Sequence, residues 1–148
     1  MKRGFTLIEL IVVIVLIGIL SVVVGPKIFT SGYKASGEVA KFITVARFLQ
    51  HKSMITGTKY GIKFEHSRYC GIDVNGNTII VPSEDNPCIS VSDSISAKEG
   101  SLSLKELYFD FMGRPIRDNG SLFDKEIVIN IDGKMVYITP NAGGVYEP

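Results

Sequence analysis

Histidine and cysteine are scarce, with two of each in 148 residues. His51 and His66 stand apart, one in a helical stretch and one in a turn, so neither has the neighbours that a general base or a metal ligand needs. Cys70 and Cys88 lie 18 positions apart, a spacing that matches no zinc pattern. No phosphate-binding glycine loop, G-x-S-x-G elbow, H-E-x-x-H pair or C-x-x-C pair occurs. These absences exclude the common nucleophilic, metal and nucleotide chemistries, and with them a metal or cofactor set. Net charge is also nearly absent at +1, which removes any overall drive toward nucleic acid or anionic lipid. Two readings of the cysteines stay open. In an oxidising compartment they close a disulfide, worth about 3 kcal/mol for a loop of that size; otherwise they are two buried thiols.

What the chain does have is an opening run unlike the rest. Behind the basic leader Met1-Lys2-Arg3-Gly4, residues Phe5 to Val24 are apolar except for Glu9 and the small residues Thr6, Gly18 and Ser21. As a helix this stretch spans about 30 Å, close to the hydrocarbon thickness of a bilayer. The run is too long for a secretory signal core, and Val22-Val23-Val24-Gly25-Pro26 offers no small-residue cleavage site. A plain anchor fits the length and places Lys2 and Arg3 on the cytoplasmic side. An anchor has no use for Glu9, however, since an acid in such a span costs roughly 2.5–3.5 kcal/mol at its centre. Glu9 is near the start of the span, where the helix dipole and unpaired N–H groups favour a carboxylate. Either it serves its own helix in this way, or it pairs with a cation outside the chain.

Gly4-Phe5-Thr6-Leu7-Ile8-Glu9 with the apolar run behind it resembles the processing motif of type IV prepilins and type II secretion pseudopilins. The resemblance implies cleavage between Gly4 and Phe5 by a prepilin peptidase and N-methylation of Phe5. It further implies that Glu9 pairs with the Phe5 amine of a neighbouring subunit, and that Pro26 interrupts the helix near the end of its apolar part. Residues 1–4 are then a leader, 5–26 a membrane-spanning and later fibre-core helix, 27–57 the amphipathic second half of that helix, and 58–148 a globular head.

Beyond Pro26 the pattern supports this division. Gly25-Pro26 is expected to kink or melt the helix locally, with a looser patch over 30–37. Helical spacing then returns at Val39, Phe42, Ile43, Ala46 and Leu49, with Lys41, Arg47, Gln50 and Lys52 on other faces. From Lys27 to Lys63 the bases outnumber the single acid Glu38, and from Phe64 onward acids predominate, a polarity suited to head-to-tail contact between copies.

After Lys59 the period changes to two. Strands are expected at 60–64 and 69–74, the second folding back at Asn75-Gly76 onto 78–81, so that Ile72 faces Ile79 and Cys70 faces Val81. Asp73-Val74-Asn75-Gly76-Asn77 is read as turn chemistry rather than a calcium loop. Residues 82–101 read as a surface excursion with one short strand near 89–91, and 102–111 as a single strand. Asn119-Gly120-Ser121 reads as a turn. Asp132-Gly133 predicts the clearest hairpin, with Ile129 opposite Val136 and Ile127 opposite Ile138. One long helix followed only by strands argues α+β, the helix laid on an antiparallel sheet.

Phe109-Asp110-Phe111-Met112-Gly113-Arg114-Pro115, the hairpin behind it and Thr139-Pro140-Asn141-Ala142-Gly143-Gly144-Val145 resemble the GspH/FimT-like minor pilins and pseudopilins. That implies a minor structural subunit, with other pilin or pseudopilin subunits and the inner membrane as partners, and with the N-terminus cytoplasmic and the head periplasmic. The competing implication is a competence pilin that binds DNA, for which Arg114 and Arg117 are the nearest basic pair.

Overall fold

The computed structural model describes residues 6–82 and 85–148; side chains at 20–33 lie outside that set. Two compact units divide the chain, 1–34 and 35–148. Helix α1 (Leu7–Thr56) contributes to both. The local melting expected at Gly25-Pro26 and the looser stretch expected over 30–37 are both helix, since α1 runs through them. One proline removes a single backbone N–H, and the remaining ladder of bonds carries the helix past it.

In the second unit α1 buries the stripe that its spacing predicts. Val39, Phe42, Val45, Ala46 and Leu49 are all at most 1% exposed, and Ile43 packs at their edge. Ten strands follow. β1 (Tyr60–Glu65), β2 (Arg68–Ile72), β3 (Cys88–Ser90), β6 (Glu106–Phe109) and β7 (Pro115–Ile116) form one sheet in the order β3-β2-β1-β6-β7. β4 (Ile95–Glu99), β5 (Leu102–Leu104), β8 (Ile127–Ile131), β9 (Lys134–Ile138) and β10 (Val145–Tyr146) form the other, in the order β10-β9-β8-β4-β5. All pairings are antiparallel. One core joins the helix stripe to Ile62, Phe64, Tyr69, Leu107 and Phe109 of the first sheet and to Ile127, Ile129, Ile131, Val136 and Ile138 of the second. Within it the Phe42 ring meets Tyr69 edge-on at 5.2 Å. The architecture is α+β, a helix packed on antiparallel sheet.

The Asp-Gly hairpin has the expected register, Ile129 opposite Val136 and Ile127 opposite Ile138. Asp132 and Gly133 both take positive φ, 49° and 85°, as a two-residue turn between right-twisted strands demands. The Asn75-Gly76 hairpin differs from expectation. Ile72 bridges Thr78 rather than Ile79, and 78–81 forms no strand. The cause is Asp73, whose Oδ1 accepts the N–H groups of Asn75 and Asn77 at 2.9 Å each, while Asn77 O accepts the Asp73 N–H. This wraps the turn around five residues instead of two and shifts the pairing by one.

β2 therefore takes β3 as its outer partner, and Cys70 faces Cys88 instead of Val81. The two cysteines are joined in a disulfide. β4, at the heart of the second sheet, lies inside what reads as a surface excursion. Its inward positions are Ile95, Ala97 and Glu99, a set too polar to register as an apolar alternation. The single strand expected over 102–111 is two strands in different sheets. They part at Lys105, whose carbonyl accepts the Phe64 N–H.

Candidate assembly helix and the clamp on its second half

The first turn of α1 starts at Thr6, whose carbonyl accepts the N–H groups of Glu9 and Leu10 at 3.1 and 3.3 Å. Glu9 is the acid of that first turn and is exposed. Gly4 and Phe5, the expected cleavage pair, lie outside the described residues. From Leu7 to Ile19 every apolar side chain is at least 46% exposed. A helix apolar on all sides is stable only inside lipid or inside a bundle of similar helices. Among the described residues no helix is long and apolar enough to cross a membrane. The described side chains of the run expected over 5–26 end at Ile19.

The second half of α1 is clamped to the C-terminal loops by polar side chains that flank its buried stripe. Gln50 Nε2 donates to Gly113 O at 2.7 Å and to Gly143 O at 3.0 Å. One turn earlier, Arg47 donates to Val145 O at 3.0 Å, and Lys134 reaches back to Ser36 Oγ at 2.7 Å. The tail loop closes on itself, since Gly144 N–H donates to Thr139 Oγ1 at 2.8 Å. The two glycine-bearing segments that read as a family pattern thus meet across one glutamine. Sequence reasoning places Gln50 only as a polar residue on the helix and misses this role. Its one signal is its position directly after the buried Leu49.

Arg114 pairs with Asp110 at 2.8 Å, and Arg117 with the buried Glu99 at 2.6 Å. Arg117 also lies over the Phe123 ring at 4.6 Å and donates to Leu122 O. Lys52 sits over the rings of Phe48 and Tyr60. His51 and His66 are exposed, and Asn119 Oδ1 caps the Ser121 N–H as a turn residue does. Among the described residues no cluster of three metal-ligating side chains forms. A concavity of about 350 Å³ at Arg68, Asn86, Pro87, Cys88 and Ser90 holds no pairing of nucleophile with base.

Glu99 is a residue the sequence reading passed over. Burial opposes its charge, but the Lys125 N–H, the Arg117 guanidinium and the Asp124 N–H together hold its carboxyl below the ordinary value of 4.5. A depressed carboxyl contributes stability above its unfolded pKa and loses that contribution as pH falls through its folded value. Glu99→Ala is accordingly expected to cost about 2–3 kcal/mol near neutrality. Thermal melts should show the gap to wild type shrinking as pH falls below the ordinary 4.5 and through the lowered value. An unchanged gap across that range would remove the charge from the explanation.

Similarity to known proteins falls on these two regions. Residues 1–25 match the family described as the prokaryotic N-terminal methylation motif. No curated protein is significantly similar to the chain. Among solved structures, the minor pseudopilin EpsH from the type 2 secretion system of Vibrio cholerae is similar with a TM-score of 0.53 at 11% sequence identity. That likeness covers 78% of this chain and 96% of the other. The chain combines an N-terminal motif of the prepilin type with the fold of a minor pseudopilin.

Proposed function

We propose that this chain is a structural subunit of a type II secretion pseudopilus or a type IV pilus, in the role of minor pseudopilin or minor pilin. Prepilin peptidase removes residues 1–4, Phe5 is N-methylated, and the subunit waits in the inner membrane with its head in the periplasm. It then enters the fibre by packing its N-terminal helix among those of other subunits. In that bundle Glu9 meets the Phe5 amine of a neighbour, and the pair sets axial register more than it adds stability. The observation that carries the proposal is the helix from Leu7 to Ile19, apolar on every side with one acid in its first turn. It lies within the residues that match a methylation motif.

The DNA-binding reading has less support. It needs cations free to neutralise phosphates, whereas Arg114 and Arg117 are each paired with a carboxylate in their own fold. Mass spectrometry of the N-terminal peptide from the native membrane tests the proposal. The expected species begins at Phe5 and carries one added methyl group, and a chain that keeps Met1 would sink it. Deleting the gene and scoring secretion, piliation and transformation in parallel identifies the machine.

A further inference from the structure

Glu38 and Asp132 belong to different elements, yet both carboxyl groups close on the same three residues of the loop between β3 and β4. Glu38 Oε1 accepts the Ser92 N–H at 3.0 Å and the Ser92 hydroxyl at 2.5 Å. Asp132 Oδ1 accepts the N–H groups of Asp93 and Ser94, each at 2.9 Å. The Asp132 N–H donates in turn to Ser94 O at 3.1 Å. Asp132 takes φ 49° in the β8–β9 turn, and the two loop N–H groups hold its carboxyl toward the loop. Among the described residues no donor reaches the second oxygen of Glu38, Oε2, which is shut from solvent, and the neighbouring carboxyl is that of Asp132.

Ionised carboxylates only accept hydrogen bonds. Two of them side by side repel, and the enclosed Oε2 is left unsatisfied, although both residues are otherwise only half-buried. A single proton held between the groups removes both faults at once. We propose that Glu38 and Asp132 share one proton and act as a clasp, fastening α1 to the β3–β4 loop and the β8–β9 turn while the proton is present and opening when it leaves.

Among the described residues the charged surroundings supply no alternative donor to Oε2. On α1 the nearest bases in sequence are Lys34 and Lys41, and the loop adds only another acid, Asp93. Lys134, at the start of β9, is directed to Ser36 Oγ and to Glu147 of the tail. The proton belongs on Glu38. Burial first, and then the Asp132 carboxyl, push Glu38 above its ordinary 4.5. The hydrogen bond from Glu38 and the amides of the loop hold Asp132 below its ordinary 3.8 despite burial.

The signs of the two shifts differ. A raised Glu38 contributes stability below its unfolded pKa, and that contribution is lost as pH rises through the folded value. A depressed Asp132 contributes above its unfolded pKa and is lost as pH falls through its own. The clasp is therefore tightest in mild acid and opens toward neutral and alkaline pH. It sits four residues into the head unit, which begins at Ala35, so opening frees the entry of α1 while leaving the Val39, Phe42 and Leu49 stripe packed.

The test uses the full chain in detergent micelles, as wild type, Glu38→Gln and Asp132→Asn. Side-chain carboxyl ¹³C shifts are followed against pH, and melting is followed by near-UV circular dichroism. Both substitutions keep the geometry: glutamine still accepts from Ser92, and asparagine tolerates positive φ. Glu38 should titrate above 4.5 in wild type and drop in Asp132→Asn, where an amide donates to it. Wild type should lose about 3 °C in Tm from mild acid to mild alkali relative to Glu38→Gln. A wild-type Glu38 titrating at or below 4.5, or a Glu38→Gln melting profile that tracks wild type across pH, overturns the proposal.

Discussion

Glu9→Ala should leave the chain cleaved after Gly4 yet keep it out of the fibre. The leader and the cleavage site precede Leu7 in the sequence, whereas Glu9 belongs to the first turn of α1, so the peptidase has no need of the carboxylate. In the assembled bundle the proposed partner of Glu9 is the positive amine of another subunit, in surroundings without water. Removing one member of such a pair strands the other charge and costs about 3–5 kcal/mol. At about 1.4 kcal/mol per tenfold, that is a loss of roughly two to four orders of magnitude in partitioning from membrane to fibre. Glu9→Gln separates charge from shape: it keeps the size and the hydrogen-bonding capacity, and it should fail nearly as badly as alanine. The measurement is the ratio of subunit in sheared fibres to subunit in membranes, with N-terminal mass spectrometry to confirm processing. Equal incorporation of mutant and wild type would return Glu9 to a capping role in its own helix.

The second large effect belongs to Gly143. Its φ is 64°, and a Cβ built on it would stand 2.1 Å from Gly113 O and 2.5 Å from Gln50 Nε2. Neither neighbour can retreat cheaply. Gly113 O is backbone in the turn that Asp110 holds through its bonds to the Met112 and Arg114 N–H groups, and Gln50 spans both carbonyls. Gly143→Ala therefore adds left-handed strain of about 1–2 kcal/mol to the loss of the two Gln50 bonds at about 1 kcal/mol each. A fall in Tm of about 10 °C is expected. Gly144→Ala is the control, since its nearest contact would be Thr139 Oγ1 at 3.2 Å and it should melt close to wild type. Adding Gln50→Ala to Gly143→Ala should rescue little, because the backbone clash with Gly113 stays. A Gly143→Ala protein that melts with wild type would show that the tail loop is not held against Gly113.

Several contrasts explain which features could be read in advance. The stripe of α1 repeats every three to four residues, and the Asp132-Gly133 turn has apolar neighbours on both sides, so each announces itself within a dozen residues. β4 fails that test because its inward residues include Ala97 and Glu99, and Glu99 is acceptable there only because Arg117 and two loop amides meet it. The Asn75-Gly76 turn fails differently. The local signal is genuine, but Asp73 offers the backbone a competing set of bonds and the hairpin is not built.

By itself the sequence determined the motif at Gly4 to Glu9, the apolar run after it, the α+β order and the register of one hairpin. Each rests on neighbouring residues, and each keeps its meaning whatever the rest of the chain does. Tertiary structure alone decided that Cys70 faces Cys88 across two strands and that Gln50 joins loops 63 and 93 residues away. It also decided that Glu38 and Asp132 converge on one loop. Such pairings leave no periodic trace, because they depend on where the core sets each sheet, and a residue's partner is chosen by that packing rather than by its neighbours in the chain.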